Sequence, residues 1–234
     1  MSTPIDFSRY RWLTFDCYGT LIDWESGIVG AIRPLLAASG RNVSSDGVLE
    51  LYAALESREE AGPYRSYREI LETILRRMGG RLVFSVDDRQ AQSLADSIRT
   101  WQPFPDSVDA LKRLKRRFKL AVISNIDDDL FLASSKLLGD PFDAVITAQQ
   151  AQSYKPSPNN FRLALKRIGE PAGKVLHCAQ SLFHDIPTAK ALGMGTVWVD
   201  RRAGKRGPGA TPQFKSEPDL RVESMKELAD LAGV

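Results

Sequence analysis

Apolar and polar positions divide this chain into two regimes. The first apolar run, Trp12-Leu13-Thr14-Phe15, has the length and the aromatic, β-branched bias of a strand. Helical spacing then takes over to about residue 100, with helices expected over 27–39, 45–60, 67–78 and 87–100. The third carries Ile70, Leu71, Ile74 and Leu75 on one face, and the fourth opens on Asp-Asp and carries Ala91, Leu94, Ala95 and Ile98. Only Leu82-Val83-Phe84 in this region has the look of a buried strand.

After the turn-rich segment Gln102-Pro-Phe-Pro-Asp106 the pattern changes to strict alternation. Helices are expected over 107–117, 128–138, 159–168 and 186–192, and they lead into strands over 120–124, 144–147, 175–179 and 196–199. A closing helix is expected over 223–231. Short apolar strands alternating with amphipathic helices mean an α/β parallel sheet covered on both faces. A lone strand cannot bury its faces, so the first strand must join that sheet. The expected organisation is therefore a core from 1–23 and 102–234, with a helical segment, 24–101, inserted after the first strand.

A length of 234 residues supports this picture, since it suffices for one sizeable core and a small second unit. No apolar stretch approaches the length of a membrane span, and Met1-Ser-Thr-Pro-Ile-Asp-Phe7 lacks the basic-then-apolar pattern of a secretion signal, so the expected location is cytoplasmic. Cys17 and Cys178 fall in or beside strands rather than in a spaced cluster, which argues against a disulfide framework or a zinc site. The formal charge of +3 is small, and basic stretches such as Leu111-Lys-Arg-Leu-Lys-Arg-Arg-Phe118 read as solvated helix faces, so nucleic acid is not an expected partner. The loop Arg201-Arg202-Ala-Gly-Lys205-Arg206 is a denser cluster that could attract an anionic substrate. Apolar faces on the helices also leave room for a homodimer.

In an open parallel sheet ligands bind beyond the carboxyl ends of the strands. Reading those ends in order gives Asp16, then Ser124-Asn125, then the loop carrying Lys155, then the segment from Gln180 to Asp185. A carboxylate, a hydroxyl and amide pair, a cation and a second carboxylate thus converge. Gly19 permits a sharp turn that would leave Asp16 facing a cleft, and Pro156 and Pro158 stiffen the loop around Lys155. Each residue also has a plainer reading. Asp16 can close its own turn, Ser124, Asn125 and Asp185 can cap helices, and Lys155 can be an exposed lysine. His177 and Cys178 are read as core, and His184 chiefly as a surface or packing histidine.

The segment Phe15-Asp-Cys-Tyr-Gly-Thr-Leu21, the strand end Ile123-Ser-Asn125, Tyr154-Lys-Pro156 and the Asp185 loop resemble, in order and spacing, the four signature motifs of the haloacid dehalogenase superfamily. The resemblance covers nearly the whole chain. It implies a Rossmann-like core with an inserted helical cap. Phosphatases of the superfamily resemble Asp-x-Asp at the first motif, the second Asp protonating the leaving alkoxide, whereas Tyr18 holds that place here, as in the 2-haloacid dehalogenases. A phosphate ester benefits from a positioned acid, and halide needs none. A tyrosine, with an ordinary pKa of about 10, is a weak substitute for a carboxylic acid.

The resemblance accordingly implies a hydrolytic dehalogenase that turns a small 2-haloacid into a 2-hydroxy acid through an ester on Asp16, with no metal or other cofactor. Lys155 would keep Asp16 ionised by lowering its pKa, Thr20 and Ser124 would donate hydrogen bonds to Asp16 or to the substrate carboxylate, and Asp185 would position the hydrolytic water. Tyr18 and Asn125 would line the substrate or halide pocket. Two departures concern the substrate side: Phe161 stands where the dehalogenases carry a tyrosine, and Gln180-Ser181-Leu182 replaces Ser-Ser-Asn. Candidates for a cap arginine that grips the carboxylate are Arg33, Arg58, Arg65 and Arg68, with Tyr64 and Tyr67 beside the last two; Arg65 is taken as the substrate-binding one, and surface pairing is the plainer reading of each. Two other readings stay open: a magnesium-dependent phosphatase holding the ion on Asp16, the Tyr18 carbonyl and Asp185, with phosphate at Ser124 and Lys155, and a non-catalytic protein that kept the fold.

Overall fold

The computed structural model of the protein describes residues 5–205 and 207–234. Strand β1 (Trp12–Phe15) is buried on both faces, as its unbroken run of apolar residues and Thr14 requires. Four helices follow: α1 (Trp24–Ala38), α2 (Ser45–Glu60), α3 (Tyr67–Leu82) and α4 (Asp88–Ser97). The alternating part contributes α5 (Ser107–Leu114), β2 (Lys119–Ser124), α6 (Asp128–Leu137), β3 (Ala144–Thr147), α7 (Ala148–Ala151) and α8 (Pro158–Ile168). It closes with β4 (Val175–Ala179), α9 (Ile186–Ala191), β5 (Gly195–Val199), β6 (Leu220–Val222) and α10 (Met225–Leu231).

All six strands are parallel, in the order β3-β2-β1-β4-β5-β6. The first strand thus sits at the centre, between β2 and β4, and the order reverses at β1. Ligand crevices open at such reversal points, outside the carboxyl ends.

Helix starts follow from local sequence. Asp23 accepts the Ser26 N–H at the start of α1, while Ser66 with Glu69 and Asp87 with Gln90 form reciprocal capping boxes for α3 and α4. Asp127 does something less local. Its two carboxylate oxygens accept the backbone N–H groups of Tyr67 and Arg68, both at 2.9 Å, so a residue beyond β2 caps the first turn of α3. That contact fixes the cap helices over the strand ends. A continuous apolar core, from Leu13 and Phe15 through Ile28 and Ile32 to Ile70, Leu71 and Leu94, reinforces it.

Two sequence expectations need correction. The Leu82-Val83-Phe84 run is no strand: α3 continues to Leu82, Val83 adopts a left-handed conformation (φ +58°), and the Phe84 N–H returns to the Gly79 carbonyl at 2.9 Å. A Cβ on Gly79 would lie 2.7 Å from the Phe84 carbonyl oxygen, so the residue type permits this close return. Strand β6 was not expected, because three residues after a long irregular segment give too short a period-two signal.

Candidate active site

The site begins where β1 ends. The Cys17 carbonyl accepts the N–H groups of Thr20, Leu21 and Ile22, closing a tight turn in which Gly19 has φ +90°. A side chain at Gly19 would be strained and would also meet Trp24 Nε1 at 2.7 Å. Within this turn the Thr20 hydroxyl donates to Asp16 Oδ2 at 2.7 Å and accepts the Gln180 N–H at 2.9 Å. Thr20 therefore links the end of β1, with Asp16, to the end of β4.

Lys155, 1% exposed, comes from the loop before α8. Its Nζ donates to Asp16 Oδ1 at 2.9 Å, to Asp185 Oδ1 at 2.7 Å and to the Ile123 carbonyl at 2.9 Å. Asn125 holds the lysine's backbone from both sides: its Oδ1 accepts the Lys155 N–H at 2.7 Å and its Nδ2 donates to the Lys155 carbonyl at 3.1 Å. Asp185 makes no side-chain helix cap at α9, and its Oδ1 also pairs with His177 Nε2 at 2.9 Å. Thr14, the register partner of His177 across β1 and β4, lies 2.9 Å from Nδ1. With the Thr14 hydroxyl donating to Nδ1, His177 presents an N–H to Asp185.

Charge follows geometry. Although burial opposes it, Lys155 and the His177 hydrogen bond hold Asp185 ionised, with a pKa lowered to about 2. The two carboxylates raise Lys155 above its ordinary value against the effect of burial. Asp16 moves the other way: burial, with the Asp185 charge, raises it despite Lys155 and Thr20. Lys155 does act to lower Asp16, and desolvation outweighs it. Tyr18 is no proton donor in waiting, because burial pushes its hydroxyl well up, and that hydroxyl pairs with Ser134 Oγ at 2.8 Å.

Asp16, Tyr18, Ser124, Asn125, Lys155 and Asp185 all line one narrow cavity. Thr20 supports Asp16 from beneath. Phe161 and Arg65 do not line it. Phe161 is fully buried under the sheet, edge-on to His177, because α8 turns its apolar face inward. Arg65 lies half-exposed and pairs with Glu59 at 2.6 Å. The other candidate arginines are also elsewhere: Arg33 donates to Ser45, Arg68 pairs with Asp96 and Asp129, and Arg58 is exposed. In the basic loop, Arg201 pairs with Asp106 at 2.9 Å and Arg202 with Glu25, while Arg206 lies outside the described residues.

The cap face of the cavity was missed by sequence reasoning. It carries Trp24, Glu56, Glu60 and Tyr67, and the Ser181-to-Asp185 loop adds His184. Glu56 Oε1 accepts from Tyr52 at 2.8 Å and from Tyr67 at 2.5 Å, while Glu60 accepts from Asn125 Nδ2 at 3.1 and 3.2 Å. Burial raises both glutamates, Glu56 to about 7 in spite of its two tyrosine donors. Burial also drives His184 down to about 4, leaving it neutral. One signal was available: Leu49, Tyr52, Ala53 and Glu56 fall on a single helical face, so Glu56 stands in line with apolar positions.

A desolvated carboxylate, held by a lysine and a threonine at the carboxyl end of a parallel sheet beneath a helical cap, is an arrangement suited to nucleophilic attack by an aspartate. The chain belongs to the haloacid dehalogenase-like hydrolase family, whose family model matches residues 10–193. It is similar to the (S)-2-haloacid dehalogenase of Pseudomonas sp. (strain YL), with 27% identity across 94% of this chain and 93% of that protein. The L-2-haloacid dehalogenase of Xanthobacter autotrophicus, solved with chloropropionic acid covalently bound, superposes with a TM-score of 0.79 at 22% identity, covering 96% of this chain and 98% of that one. A magnesium-bound HAD-hydrolase of Bacillus subtilis, YfnB, gives the same TM-score at 18% identity over 97% and 100% of the two chains.

Proposed function

We propose that the protein hydrolyses the carbon–halogen bond of a small 2-halo acid through an ester on Asp16, yielding a 2-hydroxy acid. The observation that carries this reading is at Tyr18: the place of a leaving-group acid is held by a phenol that keeps its proton and is already paired with Ser134. Halide departs without a proton, so the missing acid does not count against displacement at carbon. The chemistry named for the Pseudomonas and Xanthobacter relatives agrees.

In the first step an Asp16 oxygen forms a bond to the substrate carbon as halide leaves with its electron pair. Lys155 and Thr20 each hold one oxygen of the carboxylate, which fixes its plane, and burial removes the water that would blunt it. In the second step water attacks the ester carbonyl of Asp16. Asp185 lines the cavity and its Oδ2 is buried without a partner, which supports a role in accepting a hydrogen bond from that water, with His177 and Lys155 holding the carboxylate through Oδ1. The cavity, the two buried thiols Cys17 and Cys178 and the absence of a membrane-length apolar helix among the described residues accord with a cytoplasmic enzyme of small molecules. A homodimer would leave this chemistry unchanged.

A divalent cation fits the donor set poorly. The Lys155 ammonium already bridges Asp16 and Asp185, Gln180 offers an amide oxygen that accepts from Thr211, and among the described residues no three His, Cys, Asp or Glu side chains form a metal-ligand group. No step is assigned to a metal.

Single turnover in oxygen-18 water tests the ester. The label is expected in the peptide containing Asp16, because water attacks the ester carbonyl. Label found only in the hydroxy acid would refute the covalent route.

A further inference from the structure

The cap wall of the cavity has the wrong charge for a simple anion. Glu56 and Glu60, one helical turn apart on α2, both face it, with the Glu60 side chain 5% exposed. Among the described residues lining the cavity, Lys155 is the only lysine or arginine, and its three hydrogens are committed to Asp16, Asp185 and the Ile123 carbonyl. The Asn125 amide is engaged by Glu60 and by the Lys155 backbone. Two buried glutamates with no available cation are costly to ionise unless a ligand brings the positive charge.

Two further observations concern the same wall. The rings of Trp24 and Tyr67 line it beside the glutamates, and aromatic faces with carboxylates suit a cationic nitrogen. Two neutral donors are also left without partners: Ser124 Oγ is fully buried, and His184 Nε2, on a residue 8% exposed, lies 3.6 Å from Glu60 Oε2, beyond hydrogen-bond reach. Both line the cavity with Asp16 and are available to a ligand, the first for a carboxylate that no arginine grips.

We propose that Glu56 and Glu60 form a subsite for a protonated amine, so that the molecule attacked by Asp16 is a zwitterionic 2-halo acid rather than a plain anionic one. Its ammonium lies against the two glutamates and the Trp24 and Tyr67 rings. Its carboxylate takes the Ser124 hydroxyl. This assignment rests on the displacement reading given above, and it makes the two glutamates the residues that determine specificity.

An isosteric pair of substrates tests it. The protein is offered 3-amino-2-chloropropanoate or 2-chlorobutanoate, in which methyl replaces ammonium, and chloride release is measured against an Asp16→Asn blank. The amine is expected to have a kcat/KM on the order of a hundredfold higher, because a site built for a polar group discriminates strongly against its apolar analogue. Glu60→Gln and Glu56→Gln should each reduce that ratio about tenfold or more. A wild-type ratio near one, or a ratio that survives both substitutions together, overturns the proposal. Calorimetry with the two products, 3-amino-2-hydroxypropanoate and 2-hydroxybutanoate, reads the subsite without any chemistry. Preference for the amino product, with no mass gained by the Asp16 peptide from either chloride compound, would retain the subsite and remove the displacement reading. Ester formation from both compounds with no preference in rate or binding would do the reverse.

Discussion

The floor and the wall of the cavity are built on opposite principles. On the floor, strand ends place Asp16, Lys155 and Asp185 so that a single ammonium serves two carboxylates and each charge has a partner. On the wall, helix α2 brings Glu56 and Glu60 into the same space with tyrosine hydroxyls and an amide as donors, and among the described lining residues no lysine or arginine pairs with them. The contrast teaches which part of such a site is general and which particular. Sheet topology fixes the reacting group, and a change of residue type on one helix face resets what may approach it.

Breaking the floor should have the largest effect. Asp16→Asn is expected to lower the kcat for halide release by about 10⁴-fold or more, since the nucleophile itself is removed. Lys155→Met leaves two buried carboxylates facing each other. It should cost about 3–5 kcal/mol of stability in denaturant unfolding and reduce kcat by about a thousandfold.

The wall is read through pH. Glu56 has an ordinary value of 4.5 and a folded value raised to about 7, chiefly by burial. Its neutral form therefore favours the folded state: that contribution is complete below pH 4.5 and is lost as pH rises through 7. Between those limits the wild type should lose stability relative to Glu56→Gln, by about 3 kcal/mol at most, in urea melts at a series of pH values. A parallel pH dependence in both proteins would show that Glu56 is not the titrating group. The smallest effect belongs to Arg65→Ala, which removes a half-exposed arginine away from the cavity and leaves Glu59 paired with Arg77 at 3.1 Å; stability should change by about 0.5 kcal/mol or less, with KM unaltered.

The same contrast explains what was legible in the chain. Asp16, Lys155 and Asp185 each follow, and Ser124 ends, a strand that local pattern reveals, and parallel topology brings those strand ends together. Arg65 failed because the packing of α2 against α3 gives it Glu59 as a partner, a tertiary fact invisible to spacing. Phe161 failed because motif order does not tell which face of α8 meets the sheet. His177 was read as core, and it is buried; its bond to Asp185 depends on a register between β1 and β4 that sets Thr14 behind it. Glu56 and Glu60 escaped because a polar residue at the end of an amphipathic helix reads as solvent-facing until the cap is placed.

The Lys155 amine has a consequence for chemical labelling. With every hydrogen engaged and 1% of the residue exposed, it cannot offer a lone pair to an acylating reagent while the strand ends remain together. Acetylation of the peptide around residue 155, followed through a denaturant series, would therefore behave as an internal clock for the opening of the sheet's carboxyl edge. The residue that orders the nucleophile would also report the moment that order is lost.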